Sequence, residues 1–448
     1  MQGITLVIGI LGSVSVILLR PPYALGVYIG VLLWYPDYLR VSIGTIDISA
    51  GRIVVSALLL RCLCSDQIQK KFIWSRLDTL VALSMVVYVG VYCLTYPSLV
   101  MALENRSGFL MDTWFAYMSA RLIMTDKRTL ISVLKTTSLI LALLAILGLI
   151  ECVTHRLYFA PLKRFRPWRM LTEVPDAVVE KGRFGLARAI GPFSHPIMFG
   201  SSFVMFLPLI CALRHQRNYW GKLSYPLVVM AGCGAFSSMS SGSWAPGIVA
   251  VFCLVMERFK RWVKPLLIAF VILCIVTEIV SKRPFYYAMY SRANLGGGDW
   301  YQRVKLIDSA RADFGQWWLA GYGGRDPGWG ARYAAPTDTN NEFIKAGVQY
   351  GLLGIIVLCA VLIEVFRGLS SASRKTVDTE LKSLYWSLGS TVFSVIIIWQ
   401  GVSFFGTPLS LFYSILGMTA SSLAFTECVT ANSGILLRSD NAGLICGT

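Results

Sequence analysis

Apolar residues in this chain come in long runs separated by short polar breaks. The runs occupy roughly 4–20, 22–36, 46–64, 77–95, 107–124, 129–152, 197–213, 223–241, 243–256, 265–281, 343–366, 384–400 and 404–425. A helix that crosses the hydrocarbon of a bilayer needs about 20 mostly apolar residues, so the pattern predicts an all-α integral membrane protein with about 12–13 transmembrane helices. The first three runs are short or broken by Gly and Pro, which leaves the count open between those two numbers. No fixed-period repeat, low-complexity tract or linker interrupts the series, so residues 1–448 read as a single polytopic membrane domain. The first run lacks a basic start and a small-residue cleavage site and ends at Arg20-Pro21-Pro22. It reads as an anchor and not as a signal peptide.

Composition agrees with this reading. Mean hydropathy is +0.62, and 15% of residues are charged, against roughly 25% in a soluble domain. The charges that remain are unbalanced, 41 Lys and Arg against 24 Asp and Glu. On a soluble protein a net charge of +17 would suggest nucleic acid. In a membrane chain it points first to basic loops held in the cytoplasm, and no nucleic-acid partner is expected. Lys70, Lys71 and Arg76 lie in one short loop. Arg214, Arg217 and Lys222 lie in a second, Arg258, Lys260, Arg261 and Lys264 in a third, and Arg367, Arg374, Lys375 and Lys382 in a fourth. Their alternation along the chain marks the cytoplasmic side. The long loops 153–196 and 282–342 then lie outside and the C-terminal tail inside, while the N-terminus stays unassigned.

Eleven cysteines are scattered, mostly in apolar runs, with Cys62 and Cys64 as the one close pair. They read as free thiols without a disulfide framework. His155, His195 and His215 are the only histidines. No cluster has the spacing of transition-metal ligands, so neither a metal nor another cofactor is expected.

Both outer loops carry candidate chemistry. The first holds Arg156, Lys163, Arg164, Arg166, Arg169, Lys181, Arg183 and Arg188 against Glu173, Asp176 and Glu180. Long loops escape the positive-inside rule, so this charge either contacts anionic lipid headgroups or meets a specific anion. Arginine suits phosphate because its planar fork binds two oxygens at once and stays charged. The second loop predicts a helix over 303–318, with Ile307, Ala310, Phe314, Trp317 and Trp318 forming one apolar stripe. Arg303 falls inside that stripe. It either snorkels to water from the helix start or aims into the protein toward a charged ligand. A Gly-rich turn follows, Gly321-Tyr322-Gly323-Gly324, with Arg325 directly behind it. The loop ends on Asp338-Thr339-Asn340-Asn341-Glu342 at the start of the next membrane helix. A helix N-terminus attracts anions, and Asp338 or Thr339 is also suited to cap it. Trp317, Trp318, Trp329 and Tyr333 are either platforms for sugar faces or ordinary interfacial aromatics.

Four stretches, in order, resemble the O-antigen ligase and O-antigen polymerase superfamily. They are Arg183-x-x-x-x-Arg188-Ala189-x-Gly191-Pro192-Phe193-x-His195-Pro196, then Ser240-Ser241-Gly242-Ser243, then Arg303 with the turn at Gly321 and Gly323. The last is Asn340-Asn341-x-Phe343-Ile344 with Gly351-Leu352-Leu353-Gly354. The resemblance covers roughly 100–425. It implies a C-type membrane glycosyltransferase fold, located in the bacterial cytoplasmic membrane, that works at the outer face without metal or nucleotide. The implied reaction moves a glycan from undecaprenyl pyrophosphate to a saccharide or lipid-glycan acceptor. Arg188 and Arg303 would hold the pyrophosphate, with Arg183, Arg325 and Asn341 as further substrate-binding positions. Two departures stand out. Asn340 occupies the place of the family's usual His, and the outer serine hairpin lacks the arginine often found there. The second departure, with the Pro-Phe-Ser-His-Pro stretch, is closer to members linked to exopolysaccharide assembly. An amide cannot take a proton at neutral pH, which leaves Glu342, His195 and Asp338, in that order, as candidates to deprotonate the acceptor. Asn340 would orient the hydroxyl if no base is used. Two other classes remain open: a lipid-linked oligosaccharide flippase or transporter, and a non-catalytic part of a polysaccharide export complex. A transporter would place ionisable residues near mid-membrane. Asp112 is one such residue, and Glu278 and Glu364 lie near helix ends.

Overall fold

The computed structural model describes residues 1–43, 46–70, 72–167, 182–293, 300–336 and 338–442, with side chains described to residue 425. Lys71 and the loop residues Arg169, Glu173, Asp176, Glu180 and Lys181 lie outside the described residues. Every predicted apolar run contains a helix. In chain order these are α1 (Gln2–Leu18), α2 (Pro21–Trp34), α3 (Ala50–Leu63), α4 (Arg76–Thr95), α5 (Leu99–Leu110) continued by α6 (Ala116–Ile123), and α7 (Lys127–Thr154). After the first outer loop come α8 (Pro196–Ala212), α9 (Tyr219–Ser237), α10 (Ser241–Met256) and α11 (Lys260–Val280). The second outer loop carries α12 (Phe285–Ala293) and α13 (Trp300–Ala312), and α14 (Glu342–Lys375), α15 (Thr379–Trp399) and α16 (Thr407–Ala442) close the bundle. Among the described residues, seven helices are individually long and apolar enough to cross a membrane, and α1, α2 and α10 are shorter apolar helices. The protein is an all-α membrane protein.

The sharpest sign of the membrane is α11. Its stretch 265–277 carries no charge, and none of the 21 residues of the helix is buried against the rest of the protein. Water would not tolerate an isolated helix that is apolar all round; lipid does.

The bundle has two chemically different ends. At one end the short basic loops are tied to acids. Lys127 Nζ bridges Asp378 (2.7 Å) and Glu380 (2.6 Å), Arg214 pairs with Glu257, and the buried Arg121 pairs with Asp78 at 3.1 Å. The long loops and the turns after α2 and α15 lie at the opposite end. Met1 packs with Tyr35 and Leu162 around Tyr38 there, and Thr5 Oγ1 shares a 2.8 Å hydrogen bond with the Tyr35 hydroxyl. The N-terminus, which the loop charges left unassigned, therefore sits at the same end as both long loops.

Three elements differ from the sequence expectation. The run 46–64 does not begin as a helix: Ile46, Asp47, Ile48 and Ser49 alternate with period two and form β2, antiparallel to β1 (Arg40–Ile43). Helix α3 starts only where Ser49 Oγ accepts from Arg52 N–H. The helix expected over 303–318 is interrupted at Asp313 and resumes as a single turn, Phe314–Trp317. The buried Asp313 carboxylate draws in Trp329 Nε1 (2.7 Å), the Tyr333 hydroxyl (2.8 Å) and Arg332 (2.7 Å). Val304, Leu306, Ala310 and Trp317 are buried, whereas Phe314 and Trp318 stay exposed.

The third difference is inside α14. Gly351 has φ +70° and kinks the helix. The second outer loop docks at the kink: Leu352 N–H donates to Trp318 O (2.7 Å), and Tyr322 N–H donates to Val348 O (2.6 Å). Those bonds re-satisfy backbone groups that apolar surroundings would leave without a partner. A Cβ on Gly351 would sit 2.5 Å from Leu319 O. Gly351→Ala is therefore expected to cost about 1–3 kcal/mol, read as a lower midpoint of thermal unfolding in detergent. An unchanged midpoint would mean the docking is not needed.

Candidate functional site

Two concavities share the end of the bundle that holds the long loops. The first is a polar cavity of about 280 Å³ between the α2–β1 turn, α3, α5, the start of α14 and the turn after α15. Its walls carry Arg40, Arg52, Arg106 and Lys345 against Asp37, Asp112 and Glu342. Arg52 and Asp112 form a forked pair, Nε to Oδ1 at 3.0 Å and Nη2 to Oδ2 at 2.6 Å. Asp112 lies in a π-helical turn, Met111–Phe115, between α5 and α6. Such turns often mark functional positions. Burial pushes the Asp37 carboxyl above its ordinary range, partly offset by the charge of Arg40 and the backbone bond from Thr407. Its Oδ2 packs so close to the chain that a Cβ at Gly406 (φ +58°) would lie 1.6 Å away, so only glycine fits there.

Glu342 opens α14 and faces this cavity. Its Oε2 accepts from Phe404 N–H at 2.8 Å, and Lys345 Nζ lies 3.8 Å from the same oxygen. Lys345 also donates to Phe404 O at 2.8 Å. Neither Asp338 nor Thr339 caps α14. Asn341 does, with Oδ1 accepting from Phe343 N–H (3.0 Å) and Ile344 N–H (3.1 Å). Asp338 and Asn340 are exposed.

The second concavity is an open groove of about 720 Å³ lined by Ile307, Phe314, Trp317, Phe343 and Ile344, with Arg311, Asn341 and Gln400 as its polar members. The predicted apolar stripe of α13 thus forms its wall. Arg303 points inward rather than to water: its guanidinium lies against the backbone of Gly401, where a Cβ would be 2.9 Å from Cζ. Asn341 Nδ2 donates to Gln400 O at 3.3 Å, and the Tyr290 hydroxyl donates to the same oxygen at 2.6 Å. Consecutive residues of one helix start therefore serve both spaces, Asn341 the groove and Glu342 the cavity.

The first outer loop borders the cavity at Ser194, whose carbonyl accepts from Lys163 Nζ at 2.9 Å. The next residue, His195, caps α8: Nδ1 accepts from Ile197 N–H at 3.2 Å. Burial, then the charges of Arg188 and Lys163, push the imidazole down to about 4, with Asp338 acting weakly the other way. At neutral pH His195 is uncharged with its proton on Nε2, so it presents a donor and not a base. Arg183 is held in a tight bridge to Leu186, the two N–H···O bonds both 3.0 Å. Arg325 reaches Thr95 O at 3.3 Å. Neither lines the cavity or the groove. Trp329 is buried with its N–H spent on Asp313, and Tyr333 also serves Asp313. Of the four aromatics considered as sugar platforms, Trp318 stays exposed and Trp317 lines the groove.

Compared with known proteins, the chain matches no family model and no curated protein.

Sequence reasoning did not single out Asp37, Arg40, Arg52, Arg106 or Lys345. The signal was present in part: Arg52 and Asp112 are ionisable residues within apolar runs, where a charge is costly unless it serves a purpose. What it lacked was their convergence.

The His195 environment has a pH consequence. The folded chain binds this proton only near pH 4, whereas the unfolded chain binds it near the ordinary value of 6.5. Stability from this group is present above 6.5 and falls as pH drops toward 4. His195→Gln should flatten that part of the stability–pH curve relative to the unsubstituted protein. Parallel curves between pH 6.5 and 4 would show that the imidazole is not held neutral.

Proposed function

We propose that this protein is a membrane glycosyltransferase of the O-antigen ligase and polymerase type, acting in the bacterial cytoplasmic membrane with a C-type fold. It transfers or polymerises a glycan from an undecaprenyl-pyrophosphate donor onto an acceptor sugar. The observation that carries this reading is the pairing of spaces at one helix start. An apolar groove with Arg311, Asn341 and Gln400 in its wall, and with Arg303 packed on Gly401 beside Gln400, suits a lipid-linked pyrophosphate. The adjacent polar cavity, with Glu342 in its wall, suits a hydroxyl-rich acceptor. The positive-inside rule puts the basic end of the bundle in the cytoplasm, and hence both spaces at the outer face, where such donors are used.

In the reaction the acceptor oxygen bonds to the anomeric carbon. The bond from that carbon to the pyrophosphate oxygen breaks, and undecaprenyl pyrophosphate leaves with the electron pair. Arg303 and Arg188 neutralise the charge that grows on the leaving group, an effect strengthened where water is excluded. The hydroxyl proton passes to Glu342, whose Oε1 has no protein hydrogen bond among the described residues. His195 donates from Nε2, Asn341 fixes the wall of the groove, and the aromatic α13 stripe holds the polyprenyl chain among membrane lipids. Glycan released or attached at this face would pass to polysaccharide export machinery.

In purified protein supplied with a lipid-pyrophosphate glycan, Arg303→Ala and Arg188→Ala should each lower the transfer rate about a hundred- to a thousand-fold. Lysine should restore only part, because it lacks the fork. Glu342→Gln should remove the acid limb of the pH–rate profile. Transfer at the unsubstituted rate in either arginine variant removes that residue from the site. Movement of donor across vesicles without glycan transfer would instead identify a transporter. Glycan sizing after gene loss separates the two enzyme types: single repeat units mark a polymerase, unattached polymer a ligase.

A further inference from the structure

Arg106 stands out among the charges of the polar cavity. It is 7% exposed, yet among the described residues no carboxylate lies within ion-pairing distance of it. Its partners are neutral: Asn105 Oδ1 receives Nη2 at 2.5 Å and Nε at 3.2 Å, and Tyr350 Oη receives Nη1 at 2.5 Å. The Tyr92 ring lies under the guanidinium, 3.7 Å from Cζ to the centroid. A buried ion without a counter-charge is expensive to keep. The other cations of the cavity have acids close by: Arg52 is forked onto Asp112, Lys345 is beside Glu342, and the charge of Arg40 acts on Asp37. Four cations thus face three carboxylates, and the excess positive charge is at Arg106.

We propose that this cavity binds a carboxylate-bearing sugar, such as a hexuronic acid, with Arg106 as the group that recognises its acid. The assignment of that sugar to the acceptor rests on the transfer reading above; the binding site itself does not. Three features select this ligand class. A single excess positive charge matches a monoanion, and the surrounding Asp37, Asp112 and Glu342 repel a dianionic phosphate. About 280 Å³ is at or just below the size of pockets that take drug-like molecules, so it admits one sugar ring and not a lipid-linked oligosaccharide. The walls alternate Tyr88, Trp399, Phe404 and Tyr413 with charged groups, the mix of apolar faces and hydrogen-bonding groups that a pyranose presents. Arginine is suited to the carboxylate because its planar fork engages both oxygens. With the acid anchored at Arg106, the ring hydroxyls are left to Glu342 and Asp37.

The test is direct binding to the full chain in lipid nanodiscs, followed by saturation-transfer NMR and thermal unfolding. The probes are glucuronate, glucose and inorganic phosphate. Glucuronate should bind and raise the unfolding midpoint, while glucose and phosphate should do neither. Arg106→Gln should weaken glucuronate binding about tenfold or more. Arg106→Lys, which keeps the charge and provides a variant if the glutamine chain does not fold, should give an intermediate loss. Phosphate binding as well as glucuronate, or no binding of glucuronate, overturns the proposal. So does unchanged affinity in the lysine variant. Because these readouts need no catalysis, glucuronate binding without any glycan transfer would sink the transferase reading and leave the site standing. With transfer established, Arg106→Lys should raise KM for acidic acceptors more than for neutral ones; an equal change for both overturns the assignment to the acceptor.

Discussion

Ionised groups inside an apolar bundle are tolerated only where their charges and hydrogen bonds are met, because each costs several kcal/mol when stripped of water. Much of the end of the molecule that holds the long loops is arranged around that constraint. Asp112 sits in a π-helical turn and meets Arg52 through a two-point contact. Asp37 fits against the chain only because residue 406 has no side chain. Glu342 and Lys345 clamp the N–H and carbonyl of Phe404, which fastens the turn after α15 to the start of α14. Remove these pairings and the cavity walls lose the contacts that hold them together. Arg106 is the exception that gives the cavity its unmet charge.

A second consequence of apolar surroundings is that helices cannot simply stop. Where α14 breaks at Gly351, the outer loop supplies the missing partners from Trp318 and Tyr322. The interruption at Asp313 is likewise closed by Trp329, Tyr333 and Arg332. The long loop is therefore a docked layer and not a free excursion. Its docking brings α13, with Arg303 and the groove-lining stripe, against Gly401 and Asn341. Position along the chain and position in the site are thus linked by backbone hydrogen bonds.

Motif and site coincide in part. Asn341 and Glu342 were legible as a helix start, and that start does divide the groove from the cavity. Arg303 was legible because a charge inside an apolar stripe is anomalous, and its guanidinium does turn toward the protein. His195 was legible as a titratable group in the other loop, but its task depended on surroundings no motif reveals: a capping bond to Ile197 and two neighbouring cations. Trp329 and Tyr333 were chosen for their chemistry as sugar platforms, yet Asp313 claims both.

What the sequence determined by itself was the class of molecule, the place of nearly every helix and the division into basic short loops and two long ones. Those features follow from local properties, namely the length of apolar runs and the count of charges between them, which the bilayer reads segment by segment. The strand pair over 40–49, the kink at Gly351 and the end of the bundle on which the N-terminus lies are not local. They depend on which backbone groups find partners in other segments. The cavity is the extreme case. Its wall draws on Asp37, Arg52, Arg106 and Glu342 from four separate elements, and no one stretch shows that the four converge. Only the packing of the bundle decides that they share one desolvated space, because a charge acquires its cost, and hence its use, from neighbours that are distant in sequence.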